Sequence, residues 1–267
     1  MKDNYQRKPK GGSNKQEYLQ NYQTIYLRFP DQDGGHEWKV IKEQQKPQQN
    51  APPKIPDNNQ IPIAVKEAAS YDSNALMIYL GAPQNARRRP LTDLKIPEFQ
   101  KALAEYDIDI DNVIVHGPYV VNVANSSRKD IFDWSVGFLQ KEVARMEEIG
   151  LKTIVLHPGS AVDTPTNDAL SQVAKGINLV LKKSSTVRIA LETMCGRGSE
   201  VGINFEQLKY IIDRVEQKER VVIHINDSLN GLGAKIDRHE NIGYGNIETP
   251  RQREDFAEEI RILKEQN

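Results

Sequence analysis

The pattern of apolar and polar positions changes character near residue 62. From there onward, short β-branched apolar runs alternate with longer segments in which apolar residues recur every three or four positions. These are the marks of buried strands and of amphipathic helices. Strands are predicted at ALMIYL (75–80), VIVH (113–116), TIVLH (153–157), VRIALE (187–192) and VVIHI (221–225). Between them, AVKEAASY (64–71) reads as the last turns of a helix, and Pro97 opens a second helix where its missing N–H costs nothing, with Phe99, Leu103 and Tyr106 on one face. A long third helix carries Phe132, Val136, Leu139, Val143 and Met146 as one stripe, with Ser126 or Ser127 as its cap and Gly150 as its stop. A fourth, from about Asn167 to Leu181, turns Leu170, Val173, Ile177 and Leu181 inward. Asn204 caps a fifth with Phe205, Leu208, Ile212 and Val215 on one face, and a last helix aligns Phe256, Ile260 and Leu263. Strands alternating with helices predict an α/β fold, a TIM-barrel-like (β/α) arrangement.

Before residue 62 the picture differs. Residues 1–61 are rich in Gln, Asn, Lys and Pro, and EQQKPQQNAPPKIPDNNQIP has too few apolar side chains to offset its ordering entropy. The expected organisation is a low-complexity tail or linker over 1–61 and one domain over 62–267. Within the tail, YQTIYLRF (22–29) alternates like a strand that could pair with an exposed sheet edge.

The apolar runs share a second property: each ends on a metal-competent side chain. His116, His157, Glu192 and His224 close four successive strands, at intervals of 41, 35 and 32 residues, about the length of a βαβ unit. In such a fold the strand ends converge on one face. One such residue alone is more often a satisfied polar group, but three imidazoles and a carboxylate in register suit zinc. Downstream, IDRHENIGYGNIETP adds Asp237 and His239, an Asp-x-His pair able to face one ion, and Glu248. Arg87, Arg88 and Arg89 follow the first strand, which puts three guanidiniums on the same face, suited to phosphate oxygens. Tyr119 is either a rim aromatic or a wedge for stacked bases. The glycines of CGRGSEVG read as turns, and Cys195 as a packing residue.

A formal net charge of -1 argues against a generally basic nucleic-acid coat, though not against a local patch. A single cysteine excludes an internal disulfide and fits a reducing compartment. No run approaches the roughly 20 apolar residues of a membrane span, and MKDNYQRKPKGG lacks the apolar core of a signal peptide. A soluble cytoplasmic protein is the expectation.

VIVHGPYVVN, TIVLHPGS, ALETMCGRGSEVG, VIHINDSLNGLGAKIDRHENIGYGNI and MIYLGAPQNARR resemble the signature blocks of endonuclease IV, the zinc-dependent apurinic/apyrimidinic endonuclease with a TIM-barrel fold. The resemblance covers roughly residues 62 to 267. It implies up to three zinc ions, a double-stranded DNA substrate with abasic sites, a monomer, and a role in base-excision repair. The cleavage it implies is of the phosphodiester 5′ to the abasic site, leaving a 3′-hydroxyl, by metal-activated hydroxide. His116, His157, Glu192, His224, Asp237, His239 and Glu248 match metal ligands, with Glu192 in a bridging, catalytic position. Tyr119 matches an aromatic that inserts into the duplex, and the loop with Gln84, Asn85, Arg87, Arg88 and Arg89 matches one that presses on DNA.

The departures are equally specific. The family's opening GSHVS-like strand has no counterpart in the first 60 residues, and a DTCH-like block that supplies one aspartate and one histidine is absent where KERVVIHIND runs straight on. At most seven strands are then available, counting 22–29 and a short one at Glu248, so an ordinary eight-stranded barrel cannot close. By the same count His116, His157 and Glu192 complete one ion's ligands. The sites of His224, Glu248 and Glu192, and of Asp237 and His239, are each one short. Two other readings stay open: a degenerate, non-catalytic DNA-binding protein, and a metal-dependent TIM barrel of the sugar-isomerase type.

Overall fold

The computed structural model describes residues 61–71, 73–231, 233–240 and 246, with backbone alone at 25–28, 227 and 240. Most of the expected 1–61 tail, Glu248 with its short strand, and the helix of Phe256, Ile260 and Leu263 lie outside the described residues. The elements run β1 (Ile25–Arg28), α1 (Ile61–Ser70), β2 (Leu76–Ile78), α2 (Ile96–Glu105), β3 (Val113–His116), α3 (Lys129–Ile149), β4 (Thr153–Leu156) and α4 (Thr166–Leu181). They continue with β5 (Arg188–Glu192), α5 (Phe205–Ile212), β6 (Val221–Ile225) and the two-residue strands β7 (Asp227–Ser228) and β8 (His239–Glu240).

Strands β2 to β6 pair in chain order and in parallel, as successive βαβ units require, while β1 lies antiparallel on the far side of β6 with Ile25 opposite Ile225. The six-stranded sheet is open, with β1 and β2 as its edges. The barrel is thus incomplete among the described residues. Its carboxyl end still has the layered order of one, because side chains alternate with a period of two. Met77, Ile114, Val155, Ala190 and Val222, one from each parallel strand, form a small apolar layer on one face. Two residues further on stand Tyr79, His116, His157, Glu192 and His224, so the same face passes from an apolar floor to a polar layer. The opposite face, with Val115, Leu156, Ile189 and Ile223, packs against Phe99, Leu139, Met146, Ile177 and Leu208 in the main core. Each such fully buried Leu, Ile or Phe contributes on the order of 2 kcal/mol.

Local chemistry sets the helix ends. Gly150 takes a left-handed conformation after α3, and the N–H groups of Gly150 and Leu151 close on Met146 O, the Schellman arrangement that only a residue without Cβ adopts cheaply. Asn204 caps α5 by accepting from Gln207 N, and Gln207 Oε1 accepts from Gly202 N and Ile203 N in return. Three expectations need correction. Neither Ser126 nor Ser127 caps α3: the N-cap position falls on Arg128, without a side-chain cap, and Asn125 Oδ1 holds the preceding turn by accepting from Arg128 N and from the Ser127 hydroxyl. Tyr106 leaves the buried face of α2, because the helix stops at Glu105 and Tyr106 turns out as its C-cap. Val215 is buried as expected, but beyond the end of α5.

The loops at the carboxyl ends of the strands are interlocked. Asn122, after β3, accepts from Ser160 N and donates to Ser160 O in the loop after β4. Ser160 in turn bridges Glu200 in the loop after β5. Gly159 makes this possible, since a Cβ there would overlap Asn122 Oδ1, and its φ of +102° already excludes most side chains.

Candidate metal centre

Glu192 is the hub of the polar layer, only 2% exposed, and each of its carboxylate oxygens has its own company. Oε2 lies 3.3 Å from His116 Nε2 and 3.0 Å from His157 Nε2. Oε1 lies 3.1 Å from His239 Nε2 and 4.0 Å from His224 Nε2, and accepts a 3.1 Å hydrogen bond from Asn226 Nδ2. One ligand atom from each of His116, His157 and Glu192 falls within 4.8 Å of the others.

The backbone explains who arrives where. Glu192 and His224 are direct partners in the β5–β6 ladder, so no strand separates them. His239 comes from much further along, carried back by the β7–β8 hairpin, in which Ser228 pairs with His239. Asp237, two residues earlier, places Oδ1 2.9 Å from His239 Nε2.

The donor set fits a cation. His116 Nδ1 is 2.6 Å from Gly117 O, an atom that can only accept, so Nδ1 carries the proton. In the neutral ring Nε2 then presents its lone pair to the Glu192 carboxylate. Two acceptors so placed are reconciled only by a second proton or by a cation shared between them. Imidazole nitrogens around a buried carboxylate are the ligand types of zinc.

The ionisation of the cluster follows its geometry. Burial alone would raise the Glu192 carboxyl, but in the metal-free cluster the imidazoles of His116, His157 and His239, each within hydrogen-bond reach and donating when it carries a proton on Nε2, overcome it and hold the group well below the usual carboxylate range. Burial dominates at His224 and pushes it down to about 4. At His239 burial is outweighed by Asp237 and Glu192, which raise it to about 9. Metal-free protein should therefore lose stability on both sides of pH 6.5, the ordinary imidazole value. Below it, the unfolded chain protonates His224 while the folded chain resists down to about 4, so stability falls with pH. Above it, the proton on folded His239 stabilises until pH rises through about 9, so stability falls again. Denaturation midpoints of chelator-treated protein across pH 4–9 would show this maximum, and His239→Gln should flatten the alkaline limb. A steady rise from pH 6 to 9 would contradict it.

Tyr119 stands at the mouth of the cluster, 58% exposed, its ring 5.5 Å from that of His157 and 5.8 Å from that of His116. Its hydroxyl lies 3.0 Å from that of Tyr79, whose ring packs 5.0 Å from His116. Of the loop after β2, Gln84, Asn85, Arg87 and Arg89 are exposed. Asn85 also shapes the turn, with Oδ1 accepting from Arg87 N.

Arg88 is the clear exception to the expected arginine surface. Its side chain is 11% exposed, and Nε donates to both oxygens of Glu142 at 2.9 and 2.8 Å. The guanidinium sits 4.8 Å from the centre of the Phe138 ring and donates to the carbonyls of Asn85 and Arg87. Burial of Glu142 on α3 pulls it inward: Arg88 anchors the loop and does not present it. Cys195 lies against Glu200, its thiol pushed up first by burial, which fits a packing residue.

Sequence reasoning missed Asn226, Tyr79 and Glu142. The first two were open to the alternation rule, since Asn226 follows His224 by two and Tyr79 follows Met77 by two. Glu142 interrupts the apolar stripe of α3 between Leu139 and Val143, a position where a carboxylate needs a buried partner.

Comparison with known proteins places these features in a wider set. The profile of the xylose isomerase-like TIM barrel family matches residues 65–223, a span that contains His116, His157 and Glu192 and ends one residue before His224. A probable endonuclease 4 of Mesoplasma florum is 40% identical over 220 residues, which is 69% of this chain and 75% of that protein. One of Staphylococcus carnosus is 40% identical over 221 residues, 69% of this chain and 74% of its own. Among solved structures, endonuclease IV from Thermus thermophilus superposes with a TM-score of 0.55 at 21% identity, covering 78% of this chain and 95% of that one. A D-tagatose 3-epimerase-like protein reaches 0.54 at 16% identity, covering 75% and 93%. The two structural likenesses speak for the fold alone.

Proposed function

The chain belongs to the xylose isomerase-like TIM barrel family and, within it, to the endonuclease IV proteins, and on that premise we propose that it is a zinc-dependent apurinic/apyrimidinic endonuclease of base-excision repair. Its substrate is double-stranded DNA, cut at the phosphodiester 5′ to an abasic site, and it works as a cytoplasmic monomer. No helix among the described residues is long and apolar enough to cross a membrane. The observation that carries the reading is the buried Glu192 carboxylate, with two imidazoles on one oxygen and His239 on the other.

His116, His157 and Glu192 would hold one ion; Glu192, His224 and Glu248 a second; Asp237 and His239 a third. Bound there, zinc supplies Lewis acidity, which neutralises phosphate oxygens and brings the pKa of water toward neutrality. Glu192 keeps a negative charge between the imidazoles. Tyr119, fixed from behind by the Tyr79 hydroxyl, covers the cluster and meets the bases beside the lesion. Arg87 and Arg89 bind backbone phosphates and so set the register of the duplex over the site.

A non-catalytic DNA-binding role is the second reading, favoured by the direct β5–β6 pairing: no strand lies between Glu192 and His224 to supply the two ligands of the absent block. Zinc analysis of the purified chain, combined with incision of an abasic-site duplex, separates the readings. Incision well below that of a complete relative, rising as zinc is added and absent on intact duplex, is expected. Duplex binding with neither zinc nor incision would establish the second reading instead.

A further inference from the structure

Asn226 lies half-buried one residue past β6, on the same side of the strand as His224. Its Nδ2 donates to Glu192 Oε1 at 3.1 Å and is 3.3 Å from His239 Nε2. The donation to Glu192 Oε1 is the fixed one; His239 Nε2, which faces the acceptors Asp237 Oδ1 and Glu192 Oε1, stands beside the amide as a neighbour. We propose that Asn226 is a positioning residue: it fixes the rotation of the Glu192 carboxylate, so that Oε2 is delivered to the His116 and His157 side and Oε1 to the His239 side. This deepens the zinc reading above and rests on it.

The side-chain type is the argument. A carboxylate with two imidazoles on one oxygen can rotate about its last bond and exchange oxygens unless one of them is tied. A lysine or arginine would tie it but cancel the charge that a cation needs. An aspartate would set a second carboxylate about 3 Å from the first, a separation at which like charges cannot both ionise freely. Unlike these charged alternatives, the neutral amide orients without changing charge. Groups that hydrogen-bond to ligands in this way typically govern metal affinity by 10- to 100-fold.

The test compares wild type, Asn226→Leu and Asn226→Ala as full chains. Zinc affinity is read by chelator competition, the visible bands of cobalt-loaded protein report ligand geometry, and thermal midpoints are taken without metal. Both variants should bind zinc about 10- to 100-fold more weakly and shift the cobalt bands, with metal-free midpoints close to wild type. Unchanged affinity and bands would overturn the inference while leaving the zinc reading intact. A loss of affinity matched by a fall in the metal-free midpoint would overturn it too, by making Asn226 a folding residue. Wild type without affinity for zinc or cobalt would remove both.

Discussion

Glutamine in place of Glu192 is expected to abolish abasic-site incision, on the order of a thousandfold or more, the scale seen when one member of a unit that acts together is removed. The change is nearly isosteric, so the fold has no steric reason to fail. The chemistry changes at both oxygens. A neutral amide is a poor bridging ligand, and whichever end carries NH2 points two N–H groups at imidazole nitrogens, His116 and His157 on one side or His239 on the other. Zinc content should fall with activity, and added zinc should not restore the rate. Incision at the wild-type rate in trace zinc, indifferent to this substitution, would refute Glu192 as the centre of the site.

The second large effect lies away from the site. Glu142→Leu leaves the Arg88 guanidinium, 11% exposed, without its counter-charge. Breaking a buried pair by removing one partner costs about 3–5 kcal/mol. For a chain of this size each kcal/mol lowers the thermal midpoint by roughly 2–4 °C, so a fall of roughly 10 °C is expected. Arg88→Met combined with Glu142→Leu should regain most of that stability, since apolar replacements of a buried pair are often neutral. The double variant should still bind duplex DNA less well than wild type, because the hydrogen bonds from Arg88 to the carbonyls of Asn85 and Arg87 are gone and the loop that carries Arg87 and Arg89 is loosened. Thermal denaturation and salt-dependent duplex binding measure the two halves separately. Equal stability of the single and double variants would show that the pair is not the anchor.

The strand ends were legible in the sequence because burial and chemistry reinforce one another there. An apolar run of four or five residues closing on His or Glu fixes both the strand and the face on which its last side chain emerges. The same rule places His116, His157, Glu192 and His224 on one layer, whereas nothing in it brings His239 back from beyond β6; a hairpin of two-residue strands does that, and it leaves little trace in hydropathy. The burial of Arg88 is hidden in the sequence for a related reason. A run of three arginines looks uniform along the chain, yet the three differ in what lies beneath them, and only the partner on α3, 54 residues later, singles one out. Ser126 and Ser127 have the right composition for a cap, but the helix starts later, behind Arg128, and no side chain caps it; Asn125 shapes the turn before it.

The antiparallel β1 has a consequence for how such an open sheet avoids pairing with its own copies. A closed barrel has no lateral row of unsatisfied amides, whereas an opened one exposes two, each a template for pairing with another chain. Here β1 covers the outer edge of β6, the longer and wholly buried of the two outermost parallel strands, and reverses direction as it does so. At the other side β2 offers only Leu76–Ile78, three residues, beside a loop dense in charge. Strand brevity and charge are the usual defences of an exposed edge. The segment that composition alone marks as an appendage thereby takes over as the edge, so that the sheet ends in strands of four and three residues instead of the five of β6.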